Sequence, residues 1–270
     1  MMQNTDSKTK ELLQMLIADS EGYQNLSIPT SEAERRTIIR SLMNVRMPRT
    51  ASKELLALQD SYLREELKSK GIVALTDIPA IKGQPKLSIW QGDITRLQVG
   101  AIVNAANSQM LGCFVPCHKC IDNAIHSAAG IQLREECNHI MNKRRIQYGR
   151  RYEESTGTAT LTNSYNLPCD YIIHTVGPIV YGELNGKLCK DLRNCYESVL
   201  KCCVDNNIKS VAFCCISTGE FHFPNDKAAE IAWESVTAFL ETHGDCMERV
   251  IFNVFKDSDR KIYEKIAGLS

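Results

Sequence analysis

The sequence predicts an α/β protein, a mixed and mainly parallel sheet between helical layers, preceded by an N-terminal helical extension. Three observations predict it. Residues 7–71 carry apolar side chains at helical spacing and show no strand pattern. Beyond Gly83, short apolar runs alternate with stretches of helical period. Those runs are apolar on consecutive residues rather than alternate ones, as expected of strands covered on both faces. The division expected is an extension over residues 1–82 and an α/β domain over residues 83–270.

In the extension, Leu12, Leu13, Leu16 and Ile17 share one helical face, and Ile38, Ile39, Leu42 and Met43 share another. Ser31 and Glu34 have the spacing of a capping box, Pro48 interrupts, and a third helical pattern through Leu55, Leu56, Tyr62, Leu63 and Leu67 stops at Gly71. The strands expected are Leu87 to Trp90, Ala101 to Asn104, Gly157 to Leu161, Tyr171 to Val176, Val211 to Ile216 and Val250 to Phe255. Helices are expected over Lys187 to Asn206, Pro224 to Thr242 and Asp257 to Ala267. In parallel sheets ligands bind beyond the carboxyl ends of the strands, so the residues just after each strand are the first candidates for function.

Composition narrows the classes. The 270 residues allow one full domain and an appendage, domains being roughly 100–200 residues. Equal numbers of acidic and basic residues, 32 of each, give no net charge, so no nucleic-acid partner is expected. The first residues lack a basic start followed by an apolar block, and no later apolar run is long enough to span a bilayer; a cytoplasmic protein with no membrane association is expected. Of the twelve cysteines, Cys202, Cys203, Cys214 and Cys215 fall in apolar stretches, where a free thiol behaves as a small hydrophobe.

Four segments near strand ends can carry chemistry. Gly92-Asp93 reads as a turn as well as a ligand contact, and Asn104 with Asn107 reads equally as a strand ending in an Asx turn. Ser217-Thr218-Gly219 offers small residues whose amides can approach a diphosphate, or a plain strand-to-helix connection. The segment from Gly112 to Cys120 is more specific, since Cys113, Cys117, His118 and Cys120 place four thiolate or imidazole donors within eight positions. A closed four-ligand site would need the adjacent Cys117 and His118 to converge on one ion. Cys113, His118 and Cys120 around a Zn2+ with one open position is the expected arrangement; unliganded loop thiols are the alternative.

Taken in order, these segments resemble a macrodomain from about Leu87 to the end. Gly92-Asp93-Ile94-Thr95 is similar to that family's adenosine-binding turn, Asn104-Ala105-Ala106-Asn107 to its NAAN element, Ile125 to Gly130 to the helix after its phosphate loop, and Ile216 to Phe221 to its second phosphate loop. The Cys113 to Cys120 insertion, standing where hydrolytic relatives carry a glycine-rich loop, resembles the zinc-dependent branch, as does the helical extension. That resemblance implies a hydrolase that removes mono-ADP-ribose from proteins and is linked to sirtuin-type transferases, with a lipoyl-carrier protein as a target. It implies that Asp93 accepts from the adenine amine, that the Ile94 amide meets the ring, and that Asn107 holds the distal ribose. Ser217, Thr218, Gly219 and Glu220 would give backbone amides to the diphosphate; Phe221 would lie on the distal ribose and Phe255 on adenine. Glu220 and His222 stand where many relatives have smaller residues. Asp122 matches a catalytic aspartate position, and would orient water or a ribose hydroxyl; it reads equally as a helix N-terminal acid. Zinc would serve either by lowering the pKa of a water to about 7 or by polarising a ribose oxygen. The alternative function is a non-catalytic ADP-ribose-binding module with a structural zinc.

Overall fold

The computed structural model describes residues 2–269. Its first three helices are α1 (Met2–Asp19), α2 (Glu32–Val45) and α3 (Lys53–Lys70). Ser31 Oγ accepts from the Glu34 amide at 3.4 Å and Ser52 Oγ from the Leu55 amide at 3.1 Å, so both helix starts satisfy one of their orphan donors. Gly71 closes α3 at φ 80, a conformation that costs glycine little. Leu12, Leu13, Leu16, Ile39, Leu42, Met43, Leu55 and Leu63 form a small core of their own, joined by Ile131 of the larger domain. Arg35 lies fully buried beneath it and is satisfied by Thr9 Oγ1, the carbonyls of Pro29 and Thr30, and Asp6.

The larger domain is built on six strands: β2 (Leu87–Gln91), β4 (Ala101–Ala106), β5 (Ala159–Asn163), β6 (Tyr171–Val176), β7 (Ser210–Phe213) and β8 (Arg249–Val254). Their order is β2-β8-β7-β4-β6-β5, parallel throughout except that β5 runs antiparallel to β6. A separate two-stranded pair joins β1 (Val73–Ala74) to β3 (Leu97–Gln98). Helices α4 (Ile121–Ala129) and α5 (Ile131–Tyr148) pack on one side with the extension; α6 (Gly186–Asp205), α7 (Asn225–His243) and α8 (Asp257–Ile266) pack on the other. This is the mixed, helix-flanked sheet the sequence predicts. Among the described residues no helix is long and apolar enough to cross a membrane.

Three details differ from expectation. The edge strand β5 alternates between half-buried and buried residues although α5 and α6 pack against it from the two sides of the sheet, because its outer edge has no neighbouring strand. The run Val211 to Ile216 leaves the sheet at Phe213, since β4 pairs only with Val211 and Ala212, and the chain then turns into a loop in which Ser217 adopts φ 65. The packing also draws the domain line earlier than residue 82, for Val73 and Ala74 pair with β3 while Ile78 and Ile81 belong to the main core.

The extension is docked by polar contacts as well as by apolar ones. The start of α5 has no side-chain cap from its own N-cap, Gly130, and Gln59 of α3 supplies one: its Oε1 accepts from the Ile131 amide at 2.9 Å. Asp60 accepts from Asn166 at 2.7 Å and Gln132 at 2.8 Å.

Candidate active site

The parallel strands all end on one edge, and every segment singled out from the sequence lies along it. At the end of β2, Asp93 turns the chain: its Oδ1 accepts from Thr95 N at 3.0 Å and Thr95 Oγ1 at 2.6 Å, leaving Oδ2 toward solvent, 3.6 Å from Lys70 Nζ of α3. Ile94 behind it is buried. Phe255, following β8, is 75% exposed, a large aromatic face left in water beside that turn.

After β7 the loop Cys214–Phe221 wraps the middle of the edge. Ser217 and His222 have positive φ, and the amides of Gly219, Glu220 and Phe221 find no acceptor among the described residues. Successive free amides of this kind form an anion-binding concavity. The Thr218 amide is partly engaged, reaching the Cys215 carbonyl at 3.5 Å. Ser217 Oγ is buried without a partner.

Beyond β4 the chain enters the cysteine loop through Gly112 at φ 77, where an added Cβ would stand 2.8 Å from the His126 ring; only glycine fits this passage. The donor atoms of Cys113, His118 and Cys120 then come within 4.8 Å of one another. Cys117 is turned away: at φ 52 it points its sulfur to α2, 3.3 Å from Ser41 Oγ. His118 Nδ1 is buried without a hydrogen-bond partner, while Nε2 lies 3.6 Å from Glu220 of the amide-rich loop. Burial first, with the Cys113 sulfur adding, pushes the Cys120 thiol up to about 12, against the Asn123 amide that donates to it. Such a sulfur gives up its proton to a cation placed against it and to little else. Two convergent thiols, an orphaned imidazole nitrogen and a carboxylate near the other ring nitrogen fit a zinc ion.

Cys120 is also the N-cap of α4, and Asp122 lies in its first turn. The Asp122 carboxyl is buried; Asn104 donates to Oδ1 at 2.8 Å and Asn107 to Oδ2 at 3.3 Å, with His126 Nε2 3.5 Å away. Burial raises its pKa to about 6 despite the Asn104 bond. Asn104 also meets His174 Nδ1 at 3.1 Å, and His174 Nε2 meets Thr162 at 2.9 Å, so a buried polar chain runs from β5 to Asp122. Asn107 is itself held by Gly112 O at 3.2 Å and the Gln109 amide at 3.0 Å. Phe221, whose carbonyl accepts from Val180 N at 2.9 Å, lines with Asn107, Ser108 and Gly177 a cavity of about 640 Å³.

His174, Thr162, Arg134, and Arg40 and Asn44 of α2 are not among the residues the sequence singles out: each is a lone polar residue in a strand or helix pattern, and its partners lie in other elements.

The fold and this edge define a class, α/β domains that seat a nucleotide-like ligand across parallel strand ends. A Macro domain family model matches residues 103–232. The chain is 46% identical over 257 residues to a "Protein-ADP-ribose hydrolase" of Treponema medium, covering 94% of this chain and 96% of that protein. It is 43% identical over 266 residues to a protein of the same name from Staphylococcus aureus, covering 97% of each. Among solved structures, the Trypanosoma brucei macrodomain in complex with ADP-ribose superposes with a TM-score of 0.65 at 30% identity, over 88% of this chain and 96% of that one. The chain belongs to the macrodomain family.

Proposed function

We propose that the chain is a zinc-dependent hydrolase that releases ADP-ribose from mono-ADP-ribosylated protein. The observation that carries the reading is the convergence of Cys113, His118 and Cys120 within 4.8 Å on the loop that leads directly into Asp122. Its relatives named as protein-ADP-ribose hydrolases, matched over nearly the whole chain, support the activity. The T. brucei macrodomain complex supports the ligand.

Asp93 takes the adenine amine on Oδ2, the oxygen not used by the turn and 3.6 Å from Lys70 Nζ, with Ile94 beneath the ring and Phe255 beside it. Ser217, Gly219 and Glu220 turn backbone amides to the diphosphate, fixed dipoles that need no reorganisation as charge develops; Thr218 contributes less, its amide being drawn to Cys215. Phe221 lies on the distal ribose and excludes water from one side of it. Asn107 and Asn104 hold the Asp122 carboxyl in one orientation, which lets it position a ribose hydroxyl or accept a proton from an attacking water. Cys113, His118 and Cys120 would hold the zinc, which would supply Lewis acidity to the reaction. A set of three protein donors is what a catalytic rather than a closed structural zinc would use. The substrate protein, on this reading, is modified by a sirtuin-type transferase, with a lipoyl-carrier protein as one target. The setting is cytoplasmic, where free thiols such as the twelve present here stay reduced.

The test is incubation of the full chain with mono-ADP-ribosylated protein while free ADP-ribose is followed, with and without a strong chelator and with Cys120→Ala. Chelation and Cys120→Ala should each remove turnover yet leave ADP-ribose binding measurable by calorimetry, because adenine and diphosphate are held by other residues. Full turnover in metal-free protein contradicts the proposal.

A further inference from the structure

The cysteine loop is shaped from outside its own domain. Asn44, 1% exposed at the end of α2, accepts from the Cys117 amide at 2.9 Å and donates to Ser127 Oγ of α4 at 2.8 Å. Arg40, one turn earlier, donates to His118 O at 3.2 Å and to Asn123 Oδ1 at 2.7 Å. Asn123 in turn donates to Val115 O at 3.0 Å. The buried guanidinium of Arg134 gathers the last carbonyls of α2, those of Met43 at 3.1 Å and Asn44 at 2.7 Å, with Arg46 O at 2.7 Å. From its other side it donates to Leu111 O at 2.6 Å and Cys113 O at 3.4 Å, and it stacks on Phe114 at 4.2 Å. A cation among the orphan carbonyls of a helix end is favourable there. Here the same cation also grips the loop on both flanks of Gly112.

The consequence falls on Cys117. Its positive φ, which only glycine and a few polar residues adopt without strain, is what sends its sulfur toward α2 and leaves its neighbour His118 free to join Cys113 and Cys120. The Asn44 acceptor is aimed at the amide of that strained residue.

We propose that the helical extension is a mould for the metal loop, with Asn44 and Arg40 of α2, and Arg134 of α5 tying the loop to the end of α2, as positioning residues that fix the turn at Cys117 and so bring the three donors together before the metal binds. This rests on the zinc reading above. Rigid outer supports of this kind set metal affinity because they remove the ordering that a floppy loop would otherwise undergo on binding.

The test uses the full chain with Asn44→Ala and with Arg40→Ala at a less buried position, which keeps the inference open to refutation should the buried substitution prevent folding. Zinc affinity is read by competition with a chelating dye, and amide exchange is followed over residues 113–120. Each folded variant should bind zinc ~10- to 100-fold more weakly, exchange its loop amides faster and bind ADP-ribose as the parent does, with turnover regained in excess zinc. Folded variants that hold zinc as tightly as a zinc-binding parent, with unchanged loop exchange, overturn the mould alone. A parent that takes up no zinc overturns the metal reading and this inference with it.

Discussion

At the scale of single residues, the same side chain often serves fold and ligand together, and the two services separate by atom. Asp93 spends Oδ1 on the turn and leaves Oδ2 outward. On the proposed reading its loss should weaken ADP-ribose binding roughly tenfold or more, while turnover at saturation changes little, because the proposed adenine contact would be alike in ground and transition states. Calorimetry with Asp93→Ala beside steady-state kinetics checks this; a fallen kcat with unchanged binding contradicts it. The closeness of Cys113, His118 and Cys120 is legible in the sequence as a candidate donor set because their spacing is unusual and Cys117 beside His118 is a poor fourth partner. The left-handed turn that diverts Cys117 left no mark in the sequence, since cysteine gives no hint of φ 52 and its support is a residue 73 positions away.

At the scale of elements, mainly apolar runs located β2, β4, β6 and β8 closely, because strands covered by helices are apolar at most positions; the buried polar residues within them, among them Ser88, Asn104, His174 and Asn253, are the exceptions. β7 was overextended for the same reason: Cys214 and Ile216 are also buried, but under a loop. Helix α5 carries charged residues around most of its surface, so periodicity says little of it, and one of those charges, Arg134, is 4% exposed. Docking of the extension likewise rests on residues with no pattern, above all Gln59. Gln59→Ala leaves the buried first amide of α5 without its partner and takes from the half-buried Gln132 one of its two. It should cost about 1–3 kcal/mol in urea unfolding. A change below a few tenths would contradict the capping role.

At the scale of the whole molecule, the domain keeps two neutral imidazoles in its core directly behind the site. Burial holds His174 down to about 3 and His126 well below its ordinary value. The unfolded chain binds these protons near pH 6.5 and the folded chain does not, so their contribution is complete above about pH 6.5 and drains away as pH falls toward 3. His174 alone withdraws about 2 kcal/mol by about pH 5; Asp122, raised to about 6, opposes the loss by taking up a proton in the folded state. Denaturant midpoints at neutral pH and near pH 5 should show lower stability in acid, with a smaller difference in His174→Asn; equal midpoints contradict the buried neutral pair.

The proposed chemistry turns on one cation with an incomplete protein shell, and X-ray absorption at the zinc edge on purified chain reads that shell directly. It should give one zinc per chain, bound by two sulfurs and one imidazole nitrogen with a light atom in the remaining position. Four protein donors would make the metal structural, and a spectrum with no zinc from protein that still releases ADP-ribose would remove it from the chemistry.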